Sequence, residues 1–207
     1  MTSARPPALL TFGHGTAEQR TIVDLLQGAE VRSLVDVRRF PGSRRNPHVS
    51  SEELARWLPD AGVAYRWEPR LGGRPDAGVA YRWEPRLGGR RSLPAGAARG
   101  GVEGAEPRDT WWKVEAFRAY AAHTRSLEFV DALGELLEAA RQRRTVVLCS
   151  ETVWWRCHRR LIADVTALLH GREVLHLAHD GRLSPHPPPA GARVTSQGLV
   201  YDLPQDA

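Results

Sequence analysis

The chain has 207 residues, of which 42% are hydrophobic and 26% charged, as in a globular domain with an apolar core. The net charge of +5 favours an anionic partner, but the only lysine is Lys113, and an arginine bias of this kind can also come from a GC-rich genome. No segment approaches the roughly 20 apolar residues of a membrane span and no signal peptide is evident, so we expect a cytoplasmic protein without a membrane partner.

Apolar runs alternate with stretches of helical apolar spacing along most of the chain. They predict, in chain order, strand 8–12, helix 17–27, strand 31–37, helix 50–58, strand 62–67, helices 114–123 and 127–141, strand 145–148, a helix from about 157, and strand 173–178. This alternation indicates a single α/β domain over 8–178, with a mostly parallel sheet flanked by helices, after a flexible N-terminus of residues 1–7.

The first strand ends in the turn Gly13-His14-Gly15. Glycines allow close backbone approach or positive φ, and His14 would lie at the carboxyl edge of the sheet, where open α/β folds bind ligands. An ordinary turn with a surface histidine is the alternative. His14 is therefore a candidate ligand-binding residue.

The second strand runs into an arginine-rich loop. The candidate ligand-binding residues here are Asp36, Arg38, Arg39, Arg44 and Asn46. Arginine side chains can bind phosphate or carboxylate with two parallel hydrogen bonds, which favours an anion site. The alternative is a solvated basic loop that anchors the strand end through Asp36.

A block of sequence occurs twice without a change, because Pro59–Arg74 recurs as Pro75–Arg90. A solenoid would show several diverged copies, so we interpret the repeat as a recent tandem duplication or an assembly error with no function of its own. The first copy should supply the third strand, since its connection to the preceding helix is short. The second copy would then extend a flexible loop over 91–109, at a small cost in loop entropy.

The segment Cys149–Arg160 holds both cysteines and follows a buried strand. Cysteines of a cytosolic chain are more often free thiols, ligands or catalytic groups than structural disulfides. One of them could be a nucleophile or redox thiol, and Cys157, near a helix N-terminus and arginines, is better placed for that than Cys149. A phosphatase-like loop is excluded, because Trp155 stands where such a loop needs arginine.

Two other interpretations of this segment remain open. Cys149, Cys157, His158 and His14 could bind zinc, but the spacing of the cysteines is not a familiar zinc-binding one, and we predict no metal ligand. Alternatively, both thiols only pack, while polar groups hold an anion at the helix start. Those groups are Glu151, His158, Arg159 and Arg160.

The chain ends in a proline-rich tail over 179–207. Its prolines, from Pro185 to Pro189, argue against regular structure there. Residues 194–203 could return as an edge strand.

Four motifs, taken in order, resemble those of the DUF488 family of uncharacterised proteins. They are Thr11-Phe-Gly-His-Gly-Thr16, Val35-Asp-Val-Arg-Arg-Phe-Pro-Gly-Ser-Arg-Arg-Asn-Pro47, Leu87-Gly-Gly-Arg-Arg91, and Cys-Ser-Glu with Cys-His-Arg-Arg160. The resemblance implies a single Rossmann-like α/β domain and a site where these motifs meet, but no activity. The duplicated block departs from the family pattern, which needs one copy.

We therefore expect a site at the carboxyl edge of the sheet. The candidate catalytic residues are Cys157, His158, Glu151 and Cys149, and the candidate ligand-binding residues are His14, Asp36, Arg38, Arg39, Arg44, Asn46 and Arg159. The leading hypothesis is an enzyme that acts on a phosphorylated or nucleotide-like compound, with no cofactor assigned. The alternatives are a non-catalytic nucleic-acid-binding protein and a thiol or metal sensor.

Overall fold

The computed structural model of the protein describes residues 6–38, 41, 45–63, 81–83, 86 and 109–202. The main sheet has six strands in the order β3-β2-β4-β1-β5-β6. The first five are mutually parallel, and β6 pairs with β5 in the antiparallel sense. These strands are β1 (Leu9–Gly13), β2 (Ser33–Asp36), β3 (Tyr81–Trp83), β4 (Thr145–Cys149), β5 (Val174–Leu177) and β6 (Leu183–Pro185).

Within the described residues, five α-helices lie between these strands and cover both faces of the sheet. They are α1 (Gln19–Gly28), α2 (Ser51–Trp57), α3 (Glu115–His123), α4 (Leu127–Gln142) and α5 (Arg159–His170). Local capping fixes two of the helix starts, because the hydroxyls of Ser50 and Ser126 accept hydrogen bonds from the third backbone N–H of α2 and α4. The predicted single α/β domain with a mostly parallel sheet is confirmed.

Side chains alternate between two hydrophobic cores along the central strands. Leu9 and Val147 pack in the core beneath α3, α4 and α5, whereas Leu10 and Val146 pack in the core beneath α1 and α2. This alternation is the period-2 geometry of a strand that is buried on both faces. Cys149 is two residues after Val147 in β4, so its side chain lies on the same face of the sheet, in the core beneath α5.

The second copy of the repeated block, not the first, supplies the third strand. Tyr81 pairs with Leu34 in β2, and Trp83 pairs with Asp36. Identical sequences have identical strand propensity, so propensity could not decide between the copies. The predicted assignment to the first copy was wrong for this position in the sheet, and residues 64–80 lie outside the described part of the chain.

The C-terminal segment is more regular than its prolines suggest. Pro185 ends β6, an edge strand, where a residue without an N–H is tolerated. Two further strands, β7 (Ala192–Thr195) and β8 (Gly198–Tyr201), form a separate antiparallel hairpin. The expectation of an irregular tail was therefore wrong, whereas the strand expected within 194–203 is present as β8 but pairs with β7 and not with the main sheet. Tyr201 in β8 is fully buried against the core.

None of the helices within the described residues is long and apolar enough to cross a lipid bilayer.

Candidate functional site

Three of the predicted motifs meet because β2, β4 and β1 are neighbours in the sheet. The backbone N–H of His14 donates to the carbonyl of Cys149 at 3.0 Å, and that of Gly15 donates to Ser150 at 3.0 Å. The turn after β1 is thus joined to the loop after β4. Parallel strands place their carboxyl ends at one edge, which confirms the predicted meeting point of these motifs.

Asp36 and Arg38 form a buried ion pair at the end of β2. Nε of Arg38 donates to both carboxylate oxygens at 2.9 and 3.0 Å, and Nη2 donates to Oδ2 at 2.5 Å. Nη2 also donates to the carbonyl of Val49, and Nη1 donates to Nε2 of His14 at 3.3 Å. Because protein acceptors engage each nitrogen of this guanidinium, the anchoring role is better supported for Arg38 than the predicted ligand-binding role.

His14 is a neutral, buried imidazole. Its Nδ1–H donates to the carbonyl of Gly15 at 2.9 Å, while Nε2 accepts from Arg38. Burial, with the adjacent Arg38 guanidinium as the second cause, lowers the pKa of His14 to about 4. Both ring nitrogens are therefore occupied, so the geometry does not support His14 as a metal ligand.

The other predicted residues of the arginine-rich loop are only partly described. The side-chain amide of Asn46 donates to the carbonyl of Gly15 at 3.4 Å, which ties this loop to the turn after β1. Arg39 and Arg44 lie outside the described residues.

Cys149, Cys157 and His158 form a compact cluster at the base of the loop after β4. Nδ1 of His158 lies 3.8 Å from Sγ of Cys149 and 3.6 Å from Sγ of Cys157. The three ligand atoms all lie within 4.8 Å of one another. Both cysteines are buried free thiols, and the ring of His158 lies edge to face against Tyr120, which fixes its orientation.

The two thiols differ in acidity. A hydrogen bond from Cys157, together with the neighbouring His158, holds the pKa of Cys149 well below its usual value. Burial and the adjacent Cys149 raise the pKa of Cys157 well above its usual value. The opposite directions of these two pKa shifts favour Cys149 as the thiolate. The prediction from the sequence was the reverse, namely that Cys157 is the more reactive thiol.

Glu151 and Arg159 are near the cluster in sequence but make different contacts. The Glu151 carboxylate is exposed and accepts from the backbone N–H of Val153 at 3.3 Å. Arg159 is buried and donates to the carbonyls of Glu151 and Thr152, the latter at 2.7 Å. The Arg159 guanidinium therefore fixes the backbone of the loop, and the Glu151 carboxylate is not part of the thiol–imidazole cluster.

Gly13 is required by the close contact between this loop and β1. A Cβ atom at this position would lie 1.9 Å from the carbonyl oxygen of Glu151 and 2.6 Å from the Arg159 guanidinium. We expect Gly13→Ala to lower the free energy of unfolding by about 1–3 kcal/mol, because backbone must move to relieve the overlap. Urea denaturation measures this effect.

Gly134, in the middle of α4, provides the control for that substitution. A Cβ atom there meets nothing within 4 Å, so Gly134→Ala should stabilise the protein by up to about 1 kcal/mol through helix propensity. Equal stability of the Gly13→Ala variant and the wild type would show that the loop can shift away from β1 without cost.

A second polar network was not predicted from the sequence. The hydroxyl of Thr11 lies 2.7 Å from Nδ1 of His176, whose Nε2 lies 3.0 Å from Nδ1 of His186. Nε2 of His186 lies 2.7 Å from the Asp164 carboxylate, and Tyr201 donates to the same carboxylate at 2.8 Å. These residues come from five separate elements or loops, so no local spacing could have indicated the network.

The comparisons with known proteins identify a family but no relative of known function. The model of the family described as "Domain of unknown function DUF488" matches residues 18–78 and 74–166. The two matched segments overlap at residues 74–78, within the repeated block, as expected if one copy is surplus to the family pattern. No curated protein and no solved structure was found to be similar to the chain.

Proposed function

The chain belongs to the DUF488 family, and since the description of that family assigns no activity, we propose from the geometry of its side chains that it binds one zinc ion. The ligands would be the sulfur atoms of Cys149 and Cys157 and Nδ1 of His158. The single observation that carries this proposal is the close grouping of three strong zinc ligands, all within 4.8 Å.

The two sulfur–nitrogen distances in the cluster fit a tetrahedral zinc site. Zinc–sulfur bonds of about 2.3 Å and zinc–nitrogen bonds of about 2.0–2.1 Å place neighbouring ligand atoms roughly 3.5–3.8 Å apart. The two sulfur–nitrogen distances are 3.8 and 3.6 Å. An ion could therefore enter one face of the cluster with little movement of the ligands, because the sheet and α5 already hold them in position.

Three protein ligands leave one coordination position for water or a substrate. This arrangement is typical of catalytic zinc, whereas structural zinc sites have four protein ligands. A zinc ion with an open position can polarise a carbonyl or phosphoryl oxygen, or lower the pKa of a bound water. An enzyme acting on a phosphorylated or nucleotide-like compound could use either kind of chemistry.

The alternative hypotheses have less support from the described residues. A nucleic-acid-binding surface needs exposed cations that are free to contact phosphates, but Arg38 and Arg159 are buried, and protein acceptors engage each nitrogen of Arg38 and both Nη groups of Arg159. A thiol sensor would use Cys149 and Cys157 as a pair that forms a disulfide. That hypothesis shares the same side chains, so the experiment must separate it from metal binding.

We expect protein purified without chelator to contain about one zinc per chain, and to lose it in Cys149→Ser, Cys157→Ser and His158→Gln. Elemental analysis and competition with a chromophoric chelator give the stoichiometry and the affinity. Added zinc should also raise the stability of the metal-free protein, by about 2.7 kcal/mol at a hundredfold excess over the dissociation constant.

His170→Gln is the matched control, because His170 is an exposed histidine at the end of α5. This variant should bind zinc as tightly as the wild type. Zinc binding that survives each of the three ligand substitutions would contradict the proposal. Metal-free protein whose two thiols oxidise reversibly to a disulfide, and which takes up no zinc, would replace it with the thiol-sensor hypothesis.

A further inference from the structure

A cavity lies on the other side of the loop that carries the cysteines. Its volume is about 450 Å³, within the range of small-molecule sites. One wall is the middle of the loop, Thr152–Trp155, and the opposite wall is formed by β5 and the turn that follows it. None of the three proposed zinc ligands lines the cavity, so the two sites are separate.

The charged groups around the cavity favour an anion. Its lining includes two guanidiniums, Arg159 and Arg182, and no aspartate or glutamate among the described residues, while Arg182 also pairs with Asp180 outside the lining. The Nε–H of Arg159 is buried and has no hydrogen-bond acceptor among the described residues. Because this N–H is enclosed, Arg159 contributes positive potential at the cavity wall, and the exposed Arg182 is the guanidinium that a ligand can contact.

The aromatic side chains around the cavity favour a planar ring. Trp154 stacks flat on His176, with ring centroids 4.1 Å apart and planes 6° apart, so its position is fixed. Trp155 lies edge to face against Trp154 and is 53% exposed, which is unusual for tryptophan. An exposed indole held by a fixed neighbour offers a face on which a flat heterocycle can stack.

The buried network determines which hydrogen bond Thr11 can offer. Burial, with the adjacent Asp164 carboxylate, raises the pKa of Tyr201, so its hydroxyl stays protonated and donates to Asp164. With a neutral His186, the second oxygen of this carboxylate accepts from Nε2–H of His186, and Nδ1 of His186 accepts from Nε2–H of His176. Nδ1 of His176 is then an acceptor.

The hydroxyl of Thr11 must therefore donate its only proton to His176. Burial lowers the pKa of His176 to about 3, so the ring remains neutral and this direction holds near neutral pH. Thr11 lines the cavity, and its oxygen can only accept a hydrogen bond from a ligand. The cavity thus favours a ligand that has a hydrogen-bond donor.

We propose that this cavity binds a planar aromatic or heteroaromatic compound that carries an anionic group and a hydrogen-bond donor. The ring stacks on Trp155, the anionic group contacts the exposed guanidinium of Arg182 beside the buried positive charge of Arg159, and the donor contacts Thr11. A nucleoside monophosphate and an aromatic carboxylate share this chemistry. Binding does not require an ion at the Cys149–Cys157–His158 cluster.

Isothermal titration calorimetry with four probes, on both metal-free and zinc-loaded protein, tests the proposal. The probes are AMP, adenosine, indole-3-acetate and inorganic phosphate. We expect AMP or indole-3-acetate to bind with one site per chain, and adenosine and phosphate to bind at least about tenfold more weakly, because each lacks one of the two recognised groups. AMP binding alone would indicate a nucleotide ligand, and indole-3-acetate binding alone an aromatic carboxylate.

Variants locate the binding site. Trp155→Ala should weaken binding about tenfold, since stacking on one aromatic ring is lost, and Arg182→Gln should weaken binding of the charged probe. Thr11→Val should weaken binding while Thr11→Ser, which keeps the hydroxyl, should not. Arg193→Gln is the control for Arg182, because both arginines are exposed and each pairs with one aspartate.

Two outcomes would overturn the proposal. One is that neither AMP nor indole-3-acetate binds. The other is that binding is unchanged in both Trp155→Ala and Arg182→Gln, which would place the ligand elsewhere. Neither outcome depends on zinc, since the measurement is made with and without the metal.

Discussion

Replacing Asp36 with alanine is expected to lower the free energy of unfolding by about 3–5 kcal/mol. The carboxylate is fully buried and is the main acceptor for the Arg38 guanidinium, which is itself 5% exposed. Without Asp36, this buried positive charge would lose its carboxylate partner and keep neutral groups such as the Val49 carbonyl and the His14 ring. Urea denaturation followed by circular dichroism measures the loss.

Two further variants distinguish this explanation from a general sensitivity to mutation. In the double variant Asp36→Ala/Arg38→Met the unpaired charge is gone, so part of the stability should return. Glu138→Ala removes the carboxylate of an ion pair in which both side chains are 67% exposed, and should cost less than about 1 kcal/mol. A loss for Asp36→Ala as small as that for Glu138→Ala would mean that water reaches the Arg38 guanidinium.

Replacing Asp164 with alanine is expected to cost about 3–5 kcal/mol. Its two carboxylate oxygens accept from His186 and Tyr201, and all three side chains are buried. Each donor left without an acceptor costs roughly 1–3 kcal/mol, and the missing carboxylate adds a void. Because Tyr201 lies in β8 and His186 follows β6, we expect the C-terminal segment to loosen first, as measured by hydrogen exchange.

Asp164→Asn and Asp131→Ala are the matched comparisons. The amide of asparagine keeps one acceptor oxygen, so Asp164→Asn should retain part of the stability. Asp131 is an exposed aspartate of α4, and its replacement should change stability by no more than about 0.5 kcal/mol. If Asp164→Ala were as mild as Asp131→Ala, the hydrogen-bonded chain from Thr11 to Tyr201 would contribute nothing to the fold.

Much of the fold could be predicted because the sequence patterns that indicate its helices and strands are local. The period of apolar residues identified α1, α2, α3 and α4, and the capping box at Ser50 marked the start of α2. The β-branched run before Cys149 identified β4. Proline in β6 was misleading, because an edge strand does not need every N–H, and whether a strand lies at an edge depends on the whole sheet.

The meeting of the motifs could also be predicted, since parallel strands bring their carboxyl ends to one edge. The roles of single residues could not be predicted from the sequence. Arg38 looked like an anion-binding residue, but its partners are Asp36, His14 and Val49. Which hydrogen bonds a side chain makes depends on register and packing, and a sequence pattern contains neither.

By itself, the sequence determined the α/β class, the order of most strands and helices, and the presence of two thiols and an imidazole in one loop at the sheet edge. Only the tertiary structure decided that these three groups lie within 4.8 Å, that the second copy of the repeat joins the sheet, and that Thr11 is linked through two histidines to Asp164. The physical reason is the difference in sequence separation between the residues that act together. Apolar periodicity acts between residues a few positions apart, whereas the partners of buried polar groups come from distant segments that meet only after the core has packed.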